Sequence, residues 1–502
     1  MIELSGGALT LEMIAAVARG DTTVSLSGAA HIQIRAARAV VEKLLSGGQT
    51  MYGINTGFGK LAEKRIPESQ LEGLQLNLVR SHACGLGEAL SEEETRALML
   101  LRANVLALGH SGCRVELVET LLQMLEAGVH PVVPEKGSVG ASGDLAPLAH
   151  LALSMIGEGR SQYRGQVLDG GEALRAAGIL PVRLAAKEGL SLLNGTQAMA
   201  GVGGLALFRG LRVIALADLA GAMTLEGLLG TPVAFDSRIH GARPHRGQEA
   251  SAAHLRELLE DSEIRRSHLK NDPRVQDAYS LRCMPQVHGA IRDALEHARH
   301  TVEIESGSAT DNPLVFADSE EILSGGNFHG EPLALVFDYA ALALTDLMSI
   351  AERRIDRLIN PDLNESLPAF LSADPGMSSG FMIAHVAAAG LLNESRVFAH
   401  PASIDNIPTS GGKEDHVSMG MTSAIKLRWI VENAESVLAI EMLTAAEALE
   451  YRRPLRSSVR IEHAHEIIRT ISPRLTVDRP LSVDVENMAR AIRRGDFDEF
   501  IA

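Results

Sequence analysis

A chain of 502 residues is long enough to bury a large core, and its net charge of −16 excludes the basic surface that phosphate backbones require, so nucleic acid is not an expected partner. Aromatic residues make up only 3% of the chain, a balance that favours helix over sheet. Cys84, Cys113 and Cys283 lie far apart without a CxxC, and the N-terminus "MIELSGGALTLE" has no basic or apolar leader region; a cytoplasmic protein is expected.

In chain order, the first unusual segment is "MYGINTGFGK" (51–60), where Gly53, Gly57 and Gly59 surround Tyr52 and Asn55 in the manner of a mobile lid or a solvated loop. "GSVGASGDLAPLAH" (137–150) follows, a glycine-spaced loop running into a helix expected over Leu145–Ile156, with Asp144 as its N-cap and Pro147 in its first turn. The most apolar stretch, 203–223, is interrupted by Arg209, Arg212 and Asp218, so it reads as a buried helix within 204–229 and not as a membrane span. Further long helices are expected over 286–305, 332–359 and 422–451, the second closed by Asn360-Pro361 and the last by Pro454. Irregular stretches at 230–247 and 360–380 separate them. Helices well beyond the usual dozen residues, without heptad regularity, predict a mainly α fold built as a bundle of long helices. Some of these helices are expected to complete their cores across subunits of a homo-oligomer.

The loop at 137–150 poses the chemical question. Gly137, Gly140 and Gly143 match neither GxGxxG nor GxxxxGK[ST], and Asp144 stands where a nucleophile elbow GxSxG needs glycine. Two readings remain: a simple helix-entry loop, or backbone chemistry. In the second, the Gly143 amide nitrogen bonds to the Ala141 carbonyl carbon, whose oxygen leaves as water, and Ser142 then loses its hydroxyl and Cα hydrogen as a second water. The product is a five-membered imidazolone bearing an exocyclic methylene. Glycine permits the close approach, alanine avoids crowding and serine supplies the leaving hydroxyl.

The same stretch resembles the signature of the aromatic amino acid ammonia-lyases, whose Ala-Ser-Gly forms a methylidene-imidazolone prosthetic group. Six further motifs in family order carry the resemblance over nearly the whole chain: "YGINTGFG" (52–59), "SLLNGTQAM" (191–199), "VQDAYSLRCMPQVHG" (275–289), "SATDNPLVF" (308–316), "GGNFHGEP" (325–332) and "EDHVSMG" (414–420). The resemblance implies a prosthetic group from Ala141, Ser142 and Gly143 without external cofactor. It implies Tyr52 as base, with Ser142, Asn194, Tyr279 and Glu414 in the catalytic machinery. It also places His82, Gln276, Arg282 and Phe328 against the substrate: Arg282 as carboxylate anchor, Asn194 steadying the ring, Gln276 and Tyr279 in a polar wall, and Phe328 lining the pocket. A tyrosine hydroxyl, with an ordinary pKa of about 10, needs activating neighbours to act as a base.

Ser81-His82 and Glu414 are the histidine-type choices of the family, so non-oxidative elimination of ammonia from L-histidine to trans-urocanate is the expected reaction. A tyrosine or phenylalanine lyase, or an aminomutase, is the alternative within the family, and an inactive helical scaffold the alternative outside it. Glu414 is left open between auxiliary base and substrate contact. Lys413 and Gly307 depart from the family pattern. By resemblance the assembly is a homotetramer with shared active sites. The expected organisation is a smaller, loop-rich N-terminal domain over 1–200 carrying the lid and the Ala-Ser-Gly segment, then a long-helix bundle and oligomerisation domain over 201–502. His297 with His300, and His463 with His465, lack a third ligand or an HExxH pattern, so no metal is expected.

Overall fold

The computed structural model describes residues 1–47, 54–56, 66–270, 272 and 274–501. The long helices expected from periodicity are present as Gln197–Gly227, Met284–Ser306, Glu331–Ile359 and Gly420–Glu450, and the fold is mainly α, as expected. The described strands are two to four residues long, too short to carry a core.

The chain divides into two compact units that do not follow a single cut at residue 200. One contains Met1–Phe208, Ala298–Asp338 and Pro401–Ile425; the other contains Arg209–His297, Tyr339–His400 and Lys426–Ala502.

In the first unit the helix Glu92–Ala107 runs through the interior, buried at nearly every position from Glu94 onwards. Ser91 and Glu94 form a reciprocal capping box that satisfies its first free amides. A helix buried on all faces has no polar stripe, which is why its sequence shows weak amphipathic contrast. Its buried polar residues tie distant segments together: Asn104 Nδ2 donates to the carbonyls of Gly7 and Ser306 at 2.9 and 2.8 Å. Small paired strands, such as Leu314–Phe316 against Glu321–Leu323, brace the loops of this unit.

Gly307, one of the two departures from the family pattern, belongs here. A Cβ at this position would lie 2.4 Å from the Ala8 amide nitrogen, so the backbone packing leaves no room for a side chain.

The second unit is a bundle joined by buried ions. Asp218 accepts hydrogen bonds from Ser251 Oγ, His288 Nδ1 and Arg292 Nη2, each at 2.7 Å, and from His254 Nδ1 at 3.2 Å. Arg354 continues the chain, donating to His288 Nε2 at 3.2 Å and to Glu441 Oε2 at 2.9 Å. These partners fix the His288 tautomer, with the proton on Nδ1. Burial opposes ionisation of Asp218, but the His254 and His288 bonds and the Arg292 charge outweigh it and hold the carboxyl far below its usual range.

Candidate active site

The segment Val139–Asp144 is gripped by three other parts of the first unit. Gly140 O accepts from Ser418 Oγ at 3.0 Å and from the Gly330 amide at 3.2 Å, and Val139 O accepts from the Met419 amide at 2.9 Å. On its other side, the Asp144 amide donates to Gly195 O at 2.7 Å, and Gly143 pairs with Gly195 as an isolated bridge. Gly143 has φ +72°, and a Cβ there would fall 2.1 Å from Gly195 O. Only glycine fits.

Asp144 departs from its expected role. It precedes the helix Leu145–Met155, yet its side chain makes no cap bond to that helix. Its carboxylate instead accepts from Ser138 Oγ and from the Met199 amide, both at 2.8 Å, and so serves the first turn of the helix Gln197–Gly227. Burial pushes this carboxyl up to about 6, and the Met199, Ser138 and Ala198 hydrogen bonds limit the rise.

Ser142 is half-buried between two predicted partners. Its hydroxyl donates to Glu414 Oε1 at 2.7 Å, and its carbonyl accepts from Asn194 Nδ2 at 2.8 Å. Glu414 Oε2 is taken by Thr409 Oγ1 at 2.6 Å and Ser410 Oγ at 2.7 Å. Burial alone would raise the Glu414 pKa, but these three hydroxyls and the nearby His82 charge lower it. Lys413 is exposed to solvent, so the local positive influence on Glu414 is that of His82. His82 closes the helix Leu71–His82, with Nδ1 donating to Leu78 O at 2.8 Å. Phe328 is half-buried in the turn just before Gly330.

The first unit therefore brings together Ala141, Ser142, Gly143, Asn194 and Glu414, with His82 acting on Glu414 through its charge. Gln276, Tyr279 and Arg282 belong to the second unit and cluster around the short helix Tyr279–Arg282. There the Arg282 guanidinium lies 4.5 Å from the centre of the Tyr279 ring, and Arg282 Nε is buried without a partner among the described residues. Gln276 lines a polar cavity of about 40 Å³ with Arg274, Arg357 and Glu365. Tyr52 and most of the expected lid lie outside the described residues.

Sequence reading missed Ser138, Thr409, Ser410 and Ser418, whose hydroxyls bond Asp144, Glu414 and Gly140 O. It also missed a group formed by His329, Glu331 and His416, whose ligand atoms lie within 4.8 Å of one another. Both ring nitrogens of His329 have backbone partners there: Nε2 donates to His416 O at 3.2 Å, and Nδ1 accepts from the Glu331 amide at 3.3 Å.

This arrangement has close parallels. The family model for aromatic amino acid lyases matches residues 9–470. The chain belongs to the aromatic amino acid lyase family. It is a carbon–nitrogen lyase. Among its relatives, the histidine ammonia-lyase of Myxococcus xanthus is 54% identical over 495 residues, covering 99% of this chain and 97% of that protein. The crystal structure of histidine ammonia-lyase from Trypanosoma cruzi superposes with a TM-score of 0.93 at 44% identity, covering 100% of this chain and 94% of that one. The tyrosine aminomutase of Streptomyces globisporus gives a TM-score of 0.95 at 38% identity, covering 100% and 98%. As an aromatic amino acid lyase, the chain carries the Ala141-Ser142-Gly143 triplet in the loop held by Gly195, Gly330, Ser418 and Met419.

Proposed function

We propose that this lyase eliminates ammonia from L-histidine to give trans-urocanate, using a methylidene-imidazolone formed from Ala141, Ser142 and Gly143. The observation that carries this reading is the position of Ser142, with its hydroxyl on Glu414 and its carbonyl on Asn194. The local geometry suits the group: Gly143 occupies a cradle that a Cβ would fill, and Asn194 Oδ1 is buried and unpartnered among the described residues. When formed, the ring supplies an electrophilic methylene carbon that no ordinary side chain offers.

The remaining work falls to side chains of this protein. Loss of the Ser142 hydroxyl frees Glu414 Oε1, while Thr409 and Ser410 keep Oε2 occupied, so one carboxylate oxygen faces the place where the hydroxyl stood. That oxygen accepts a hydrogen bond or a proton from the substrate. His82 hydrogen-bonds the substrate imidazole, a desolvated polar match that a phenyl ring cannot make. From the family resemblance we assign carboxylate binding to Arg282 with Gln276 and Tyr279, a substrate contact to Phe328 and removal of the β-proton to Tyr52.

The histidine ammonia-lyases of M. xanthus and T. cruzi, at 54% and 44% identity, support histidine over the tyrosine-type alternative. The assembly is a cytoplasmic homotetramer in this reading. Leu335, Tyr339 and Leu342, 47–53% exposed, form one apolar stripe on the helix Glu331–Ile359 that a second copy would cover.

Intact mass and substrate turnover test the proposal together. The purified protein should weigh two waters less than its sequence, and L-histidine should yield the ultraviolet absorbance of a conjugated acrylate. A full-sequence mass, or turnover of tyrosine or phenylalanine in place of histidine, overturns it.

A further inference from the structure

Arg102 is completely buried in the helix Glu92–Ala107, and no carboxylate pairs with it among the described residues. Its two terminal nitrogens donate to neutral oxygens of one turn, and Nε is buried without a partner among the described residues. Nη1 donates to Asn194 O at 2.8 Å and to Gln197 Oε1 at 2.6 Å, and Nη2 donates to Ser191 O. Asp311, whose charge acts on Arg102, is engaged by Lys187 Nζ at 3.1 Å and by the Asn312 amide at 2.6 Å. Burial lowers the Arg102 pKa to about 10, which leaves the group charged at neutral pH.

A buried cation without an anionic partner is costly, and an apolar residue of similar size would fill the same space without that cost. What Arg102 holds explains its presence. Asn194 donates to Ser142 O, and Gly195 abuts Gly143. The contact is layered: a Cβ on Gly195 would meet Arg102 Nη1 at 2.4 Å, and a Cβ on Gly143 would meet Gly195 O at 2.1 Å. The guanidinium therefore backs Gly195, and Gly195 backs Gly143. A displacement at Arg102 passes through the 191–197 turn to both the amide that faces Ser142 and the glycine whose nitrogen must reach Ala141.

We propose that Arg102 is a positioning residue of the reactive centre: by clamping Ser191 O, Asn194 O and Gln197 Oε1 it sets Asn194 and Gly195 against Ser142 and Gly143, so that the backbone ring can close. This rests on the proposal that Ala141, Ser142 and Gly143 cyclise. The planar fork matters as much as the charge, since the compact ammonium of lysine cannot span the same acceptors in one plane.

Arg102→Lys and Arg102→Met are compared with the wild type in the full-length protein by intact mass, circular dichroism and steady-state turnover of L-histidine. The wild type should be two waters light. Arg102→Met, with wild-type helicity, should remain mostly at full sequence mass. Arg102→Lys, which keeps the charge, should mature in part, and its matured fraction should lose kcat by about tenfold or more with KM within about threefold, because substrate contacts are untouched. If Arg102→Met does not fold, Arg102→Lys decides. A folded variant that matures fully and turns over within about twofold of wild type overturns the role of Arg102 alone. A wild type at full sequence mass overturns the cyclisation, and this inference with it.

Discussion

The Ser142 hydroxyl donates to Glu414 Oε1 across 2.7 Å, joining residues 272 positions apart. In the proposed cyclisation, one serine oxygen would be both the leaving group and the atom whose departure opens Glu414 to substrate. Ser142→Ala should retain the helical fold, weigh no less than its backbone cyclisation allows without loss of a hydroxyl, and lose activity by about 10³-fold or more, read by histidine turnover. Glu414→Gln keeps the shape but replaces an acceptor with a donor, and should cost about 10²–10³-fold in kcat/KM.

Thr409 and Ser410 govern the ionisation of Glu414. Their hydroxyls favour the carboxylate, so Thr409→Val with Ser410→Ala should raise the Glu414 pKa. A reaction that needs the ionised form then begins at higher pH, and the acid limb of the kcat/KM profile should move upwards. An unmoved limb would show that Glu414 ionisation does not control the reaction.

His82→Leu removes the hydrogen-bonding imidazole and leaves an apolar wall. Histidine kcat/KM should fall by about 10²-fold, while phenylalanine gains relative to histidine. Paired assays with the two amino acids measure the ratio.

Gly143→Ala forces a side chain into a left-handed backbone against Gly195 O. It should destabilise the protein by about 1–3 kcal/mol and leave the chain at its full sequence mass. Thermal unfolding and intact mass separate the two effects.

In the second unit, Asp218 accepts from Ser251, His254, His288 and Arg292. Asp218→Asn should cost about 3–5 kcal/mol at pH 7, because it leaves buried donors and charge uncompensated. The folded pKa lies below the unfolded one, so the carboxylate stabilises the fold above the unfolded value of about 3.9, and this stabilisation is lost as pH falls below it. The gap between wild type and variant, measured by chemical denaturation, should therefore narrow between neutral and strongly acid pH.

Sequence alone determined the fold class, the four long helices to within a few residues except at the start of Gln197–Gly227, and the family through its motifs. These are local properties: a helix closes its hydrogen bonds four residues away, and a motif is read from adjacent positions. The tertiary structure decided the rest. It brought Pro401–Ile425 beside the first 208 residues, set Thr409 and Ser410 on Glu414, sent the Asp144 carboxylate to a helix other than its own, and placed Arg102 behind Asn194. The Asp144 and Arg102 bonds cross 55 and 92 residues, and those of Thr409 and Ser410, though local, belong to an irregular loop, so none leaves a periodicity. A serine or threonine that positions a carboxylate looks, in sequence, like any other polar residue of a loop, and only packing shows which carboxylate it meets.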